Sequence, residues 1–161
     1  MKYLIASDIH GSAYWTERLC AAIESEQPDR VVLLGDLLYH GPRNDLPPDY
    51  APKEVIALLN ARKNQIFCVR GNCDAEVDQM VLQFPIMADY ALFDLDGRTA
   101  FITHGHLFNL DNLPPHKPGD LLIHGHTHVL TVQEKDGMTY INPGSAALPK
   151  DCLLYTSPSP R

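Results

Sequence analysis

The sequence predicts an α/β fold in which two sheets pack together, and three features carry that prediction. Residues 2–70 alternate short apolar, β-branched runs with segments of helical period, which implies parallel strands joined by helical crossovers. Two Asp-Gly pairs later in the chain each sit between apolar runs, the signature of tight hairpins and hence of antiparallel pairing. The chain has 161 residues, enough for one domain with a real core and too few for two comfortable ones.

KYLIAS (2–7), RVVLLG (30–35) and QIFCVR (65–70) read as buried strands bounded by turn signals. Between the first two, AYWTERLCAAIESE places Trp15, Leu19, Ala22 and Ile23 on one helical face, with Trp15 at the head of the apolar stripe. Pro52 opens PKEVIALLNARK, where Val55, Leu58, Leu59 and Arg62 keep the same period and proline takes a tolerated first-turn position. HGPRNDLPPDYAP (40–52) holds too much proline for a sheet interior and is expected to be a loop. After Asp74 a short helical piece, AEVDQMVLQF, leads into YALFDLDGRTAFIT, a hairpin turning at Asp96-Gly97. VLTVQEKDGMTYIN repeats the pattern at Asp136-Gly137, so the second half builds another sheet against the first. The folded domain is expected to span residues 1–150, and DCLLYTSPSPR (151–161) reads as a disordered or non-native tail.

With 45% hydrophobic and 20% charged residues the composition is that of an ordinary globular protein. A formal net charge of -7 argues against holding long nucleic acid by phosphate neutralisation, and the acidic excess reads as a solubility surface. The opening MKYLIASDIH has too short an apolar run for a signal peptide, and no run is long enough to span a bilayer. Cys20, Cys68, Cys73 and Cys152 show no CxxC spacing and read as reduced thiols. A cytoplasmic protein without a membrane partner is expected.

The chemistry lies just after the strands. Asp8 and His10 occur in SDIHG, Asp36 in LLGDLL, Asn72 in VRGNCD, His104 and His106 in ITHGH, and His124, His126 and His128 in HGHTH. Five predicted strands thus deliver metal-type ligands at their carboxyl ends, the edge where open α/β sheets bind ligands. Any one of these histidines alone is more often a packed core residue, and GD or GN alone is a turn signal. Together they make a site. Asp8-x-His10 puts two ligands on one turn with Ile9 directed into the core, and Gly11 allows a sharp bend afterwards. The Asp36 carboxylate has enough lone pairs to bridge two cations. A mixed imidazole, carboxylate and amide set disfavours Ca²⁺ and suits Mn²⁺, Fe²⁺, Zn²⁺, Co²⁺ or Ni²⁺. It is too large for one tetrahedral zinc and fits two ions about 3.5–4 Å apart. Chemistry alone does not choose among the three histidines of HGHTH.

DxH, GD, GNCD, THGH and GHTH, in this order, resemble the calcineurin-like metallophosphoesterase superfamily, and its small bacterial YfcE-type phosphodiesterases in particular. The similarity covers about residues 1–150 and includes GDLLYHGPRN and RGNCDAEVDQM. It implies an αββα sandwich of two mixed sheets. It also implies one ion held by Asp8, His10, Asp36 and His128 and another by Asp36, Asn72, His104 and His126, with Asp36 bridging and Mn²⁺ first among the metals. His124 falls outside the motif and reads as packed or hydrogen-bonded. Asn72, Cys73 and His106 are the implied phosphate contacts, and no residue is assigned as a covalent nucleophile. The implied reaction is hydrolysis of a small phosphodiester by metal-activated water.

Two departures narrow this reading. Many relatives carry histidine where this chain has Cys73, and a thiol is a poorer proton donor than imidazolium, which favours substrates with good leaving groups. Relatives also continue past the Asn142-Pro143-Gly144-Ser145 loop with further strands, so the last C-terminal strands are expected to be missing, leaving a sheet edge prone to self-association as a homo-oligomer. The rival readings are a phosphomonoesterase or nucleotidase on the same site, and a non-catalytic interaction scaffold of the same fold. Arg43 and Asn44 belong to the proline-rich loop, where a solvated role is the default and lining a substrate pocket is the alternative.

Overall fold

The computed structural model describes residues 1–150. Tyr3–Ala6 (β1), Arg30–Leu33 (β2) and Ile66–Cys68 (β3) form a parallel sheet in the order β1-β2-β3, connected by helices Ala13–Glu26 (α1) and Pro52–Asn60 (α2). Connections of this length can carry the chain back to start a parallel strand, which a tight hairpin cannot. α1 starts on Ser12, whose hydroxyl accepts the Trp15 N–H, and stops on Gln27 in the left-handed region. α2 starts on proline as expected. Leu19 and Ile23 of α1 and Val55 and Leu59 of α2 pack against Val31, Leu33 and Cys68 on one face of the sheet.

Trp15 departs from expectation. It is half-buried at the margin, with the Arg18 guanidinium 5.6 Å above its ring, while Ala13 and Thr16 take the buried positions. The first turn of α1 runs against the 8–12 turn and the residue 50 backbone, where a small side chain fits and an indole does not.

The second sheet comprises Tyr90–Leu95 (β4), Arg98–Thr103 (β5), Leu121–Ile123 (β6), Leu130–Lys135 (β7) and Met138–Pro143 (β8), in the order β4-β5-β6-β8-β7. Both expected hairpins form, and their Asp-Gly turns have positive φ at both residues, 54° and 81° at Asp96-Gly97 and 52° and 80° at Asp136-Gly137. The hairpins are joined through β6, which runs parallel to both β5 and β8, so this sheet is mixed. The helical piece after Asp74 contracts to one turn, Glu76–Gln79 (α3), and Leu82 and Phe84 beyond it drop into the first core.

Alternation along the strands builds the layers. Val31 and Leu33 of β2 face the helices, whereas Val32 and Leu34 face the second sheet and meet Val69, Ala100, Ile102 and Ile123 between the sheets. Phe101, Leu122, Met138 and Tyr140 point outward from the second sheet and are covered by Phe108, Leu110 and Leu113 of the segment before β6. Leu33, fully buried, contributes about 1.5–3 kcal/mol by leaving water. Among the described residues no helix is long and apolar enough to cross a membrane. The expected tail, 151–161, lies outside the described residues.

The β2 and β3 ends meet closely at two glycines. A methyl on Gly71 would fall on the Asp36 carboxylate and backbone nitrogen, and one on Gly35, which has φ +96°, would fall on the Gly71 backbone. Gly71→Ala is therefore expected to cost about 1–3 kcal/mol in thermal unfolding and to weaken metal binding, because the strand ends must separate. Wild-type stability in that variant would show that the approach is slack.

Candidate metal centre

Asp8 follows β1, Asp36 follows β2, Asn72 follows β3, His104 follows β5, and His126 and His128 follow β6. The strand ends share one edge, which brings these residues together. Asp8, His10, Asp36, His126 and His128 all have positive φ, between 49° and 65°, a conformation that costs a non-glycine residue about 1–3 kcal/mol and concentrates at functional sites. Backbone bonds hold the turns there: Asp8 N–H donates to Gly35 O at 3.1 Å and His10 N–H to Asp36 O at 2.9 Å.

Three imidazoles are aimed the same way. His10 Nδ1 lies 2.7 Å from Tyr39 O, His104 Nδ1 2.6 Å from Leu34 O and His128 Nδ1 2.8 Å from Leu148 O. A carbonyl can only accept, so each Nδ1 carries a proton, and a ring that holds no second proton presents an Nε2 lone pair to the site. His10 and His128 Nε2 are 3.3 Å apart. His104 Nε2 is 3.0 Å from Asn72 Oδ1 and 3.4 Å from Asp36 Oδ2. Asp8 Oδ1 lies 3.3 Å from His128, 3.7 Å from His10 and 4.0 Å from His104, and is buried without a hydrogen-bond partner among the described residues. Lone pairs facing lone pairs at these distances repel unless positive charge sits among them. The donors fit divalent cations, with Asp8, His10 and His128 in one group and Asp8, Asp36 and His104 in another.

Protons stand in for that charge when metal is absent. Burial pushes the Asp8 carboxyl up, but contacts with His10 and His128, the charge of His104 and the Ser7 hydroxyl overcome it and hold Asp8 well below the usual carboxylate range. Asp36 is lowered against its burial by His104 and the Cys73 N–H. Burial opposes charge on His104 too, yet Asp36 and Asp8 raise it from 6.5 to about 9. The His104–Asp36 contact thus stabilises the metal-free protein at neutral pH and is lost as pH rises through about 9. A cation needs the neutral ring. Metal uptake at pH 7 is therefore expected to release protons, with affinity rising towards pH 9. Calorimetry in buffers of different ionisation heat measures this, and uptake without proton release would contradict the arrangement.

The remaining candidates have distinct places. His126 donates its backbone N–H to Asp8 Oδ2 at 3.0 Å, and its ring lies 5.0 Å from that of His104, outside the tightest donor groups. Burial and then the charge of His104 push it down to about 4, leaving a neutral donor at the pocket wall. His106 stands 5.4 Å from His104 ring to ring and is lowered by burial first. Cys73 donates its N–H to Asp36 Oδ1 at 2.8 Å, and burial and Asp36 push its thiol up to about 12. His124 is a packed residue, buried against Tyr140 with its Nδ1 2.9 Å from Gly125 O.

Asp74 receives no role from the sequence. Its buried carboxylate accepts from Asp36 N at 2.8 Å, Gly71 N at 2.7 Å and Leu37 N at 2.9 Å, tying the turn after β2 to that after β3. The D of GNCD is the available signal. Asn142, also unassigned, donates from its amide to Gly125 O and Thr127 Oγ1 at 2.9 Å each and braces HGHTH from below.

The site opens into a pocket of about 290 Å³ lined by His10, Asp36, Asn72, Cys73, His126 and His128 among others. A larger apolar groove of about 540 Å³ lies on the outer face of the second sheet, away from these donors. The candidate donors belong to the smaller cavity.

The calcineurin-like phosphoesterase superfamily domain matches residues 1–156. The chain belongs to this superfamily. It is 46% identical over 150 residues to phosphodiesterase YfcE of Escherichia coli K12, an alignment covering 93% of this chain and 82% of that protein. It is 27% identical over 157 residues to the probable metallophosphoesterase YsnB of Bacillus subtilis, covering 93% and 78%. The solved structure of the E. coli YfcE phosphoesterase superposes with a TM-score of 0.93 at 45% identity, covering 95% of this chain and 84% of that one. Vacuolar protein sorting 29 of Cryptosporidium parvum shares the fold alone, with a TM-score of 0.54 and 21% identity over 89% and 73% of the chains. This metallophosphoesterase is accordingly a hydrolase of a family that uses divalent metal, with candidate ligand clusters at the strand ends.

Proposed function

We propose that this metallophosphoesterase hydrolyses a small phosphodiester with two divalent ions, Mn²⁺ first among them. Asp8, His10, Asp36 and His128 would hold one ion and Asp36, Asn72, His104 and His126 the other, with Asp36 between. The observation that carries this reading is the convergence of the His10, His104 and His128 Nε2 atoms on Asp8 and Asp36, each ring fixed by a carbonyl behind it. The likeness to a named phosphodiesterase supports the diester class.

When bound, such ions supply a water of lowered pKa and neutralise charge on the phosphoryl oxygens. The chain's own residues do the positioning. Asp36 gives Oδ1 to the Cys73 N–H and so directs Oδ2 towards His104. Asn72 turns Oδ1 to His104 and Nδ2 to the Cys73 sulfur 3.3 Å away, leaving its amide at the pocket wall. Asn72, Cys73 and His106 are the phosphate contacts in this reading. With its thiol near 12, Cys73 is a weak acid at neutral pH, so the leaving alcohol must depart largely on its own stability. Aryl diesters are favoured for that reason.

The 290 Å³ pocket suits a small substrate, not a polymer, and the acidic surface agrees. A cytoplasmic location belongs to the same proposal. The test is to strip the protein of metal, add back Mn²⁺, Ni²⁺, Zn²⁺ or Mg²⁺, and compare bis-p-nitrophenyl phosphate with p-nitrophenyl phosphate. Metal-dependent cleavage favouring the diester is expected. Preference for the monoester would replace this reading with a phosphomonoesterase, and folded, metal-loaded protein that cleaves neither would leave the scaffold reading.

A further inference from the structure

The mouth of the metal pocket carries two cations with no counterpart in the metal chemistry. Arg43 and Lys150 line the same cavity as His10, Asp36, His126 and His128. Neither side chain makes a hydrogen bond or ion pair among the described residues, whereas Arg62 and Arg70 each engage a carboxylate. Among the described residues Asp36 is the sole acidic one lining this pocket, in a chain of net charge -7. Random placement of 13 basic residues among 20 acidic ones does not favour such a rim.

Both cations are held at the site by their backbones. Lys150 N–H donates to His128 O at 3.0 Å, so this lysine is anchored to a proposed ligand. Arg43 follows Gly41-Pro42, where Gly41 has φ +83° and proline fixes its own φ. The loop closes through Asn44, whose amide donates to His40 O at 2.8 Å. A methyl on Gly41 would come within 3.5 Å of the Cys73 sulfur, so the loop lies directly over the metal-site turn. Asn44 shapes the loop and Arg43 is presented by it.

We infer that Arg43 and Lys150 form a subsite for a second anionic group, so that the physiological substrate is a phosphodiester whose substituent carries a carboxylate or a further phosphoryl group. This rests on the diesterase reading and names the substrate class of that site. Guanidinium and ammonium groups make charge-assisted hydrogen bonds to such oxyanions, and a cationic rim raises their capture rate and lowers KM. A neutral substituent gains nothing from either residue.

The experiment uses Mn²⁺-loaded full-length protein in two arms. In the first, kcat/KM for bis-p-nitrophenyl phosphate is compared with that for a p-nitrophenyl diester whose second alcohol bears a carboxylate, and with one bearing a phosphoryl group, in wild type, Arg43→Gln, Lys150→Gln and the double variant. Wild type is expected to prefer a charged diester about tenfold or more, and the double variant to lose that preference through KM while cleaving the neutral diester within about twofold of wild type. In the second arm, binding of ethylphosphonate is compared with that of 3-phosphonopropionate and ethane-1,2-diphosphonate by calorimetry, which needs no turnover. The variants should lose only the extra affinity of the doubly anionic ligands, and the ligand showing the larger loss identifies carboxylate or phosphoryl as the preferred group. If diesters are cleaved but charge confers no advantage in either arm, the subsite is overturned and the diesterase stands. If nothing is cleaved while the phosphonates are still discriminated through Arg43 and Lys150, the diesterase falls and the anion subsite stands.

Discussion

Asp36→Asn is expected to lower metal-dependent diester hydrolysis by at least about a thousandfold, a loss of roughly 4 kcal/mol of transition-state stabilisation, and to reduce the metal bound per chain. Asp36 lies 3.4 Å from His104 Nε2 and 3.8 Å from His10 Nε2, so its Oδ2 faces both halves of the proposed centre. The amide retains one oxygen but loses the charge, and its NH₂ would point a donor where a cation belongs. Folding should survive, since the Cys73 N–H needs only an acceptor and the turn is held independently by Asp74. Metal analysis, circular dichroism and the diester assay on one preparation test this. Full metal content with full activity would remove Asp36 from the proposed centre. Asp8 is the informative comparison, because its Oδ1 approaches His128, His10 and His104. If Asp8→Asn loses both ions and Asp36→Asn only one, the bridging role passes to Asp8.

Asp74→Ala should be the most destabilising single change near the site, although Asp74 touches no proposed ligand atom. Asp74 is 7% exposed and its carboxylate takes three backbone N–H groups, from Asp36, Leu37 and Gly71. Truncation leaves those donors buried without a partner at about 1–3 kcal/mol each. Allowing for relaxation and for water entering the gap, a total near 3–5 kcal/mol is expected, or a Tm lower by roughly 10 °C. Asp36 and Asn72 flank the loosened turns, so metal affinity should also fall about 10–100-fold, the usual effect of removing a group that orients ligands. Asp74→Asn keeps one acceptor and should lie between wild type and alanine. A Tm within a degree of wild type for Asp74→Ala would show that the two turns hold each other without it.

Much of the fold is legible as local chemistry. The strands after residues 2, 30 and 65 declare themselves by β-branched runs, and both hairpins by Asp-Gly, because only residues tolerant of positive φ fit those turns. The short β6 is legible through the HGHTH at its end more than through its own three residues. Its parallel pairing with β5 and β8 is not, since each hairpin reports only its internal direction. Trp15 is misplaced by its period because helical spacing gives a stripe without its rotation against the sheet, and Ala13 and Thr16 win the close contact. The ligand types are legible from residues at strand ends, yet the orientation of each imidazole is not. It depends on the carbonyls of Tyr39, Leu34 and Leu148, each on a segment distant in sequence from the ring it holds.

The sequence by itself determined which side chains are candidate cation donors and that they stand directly after strands, because periodicity, turn chemistry and donor type are properties of short segments. Only the tertiary structure decided that Asp8 Oδ1 is buried among three Nε2 atoms, that Asp74 fastens two turns through three amides, and that Arg43 and Lys150 share a rim although 107 positions separate them. Those are relations between segments that meet when the sheets pack, and electrostatic and hydrogen-bond energies depend on that distance, not on separation along the chain.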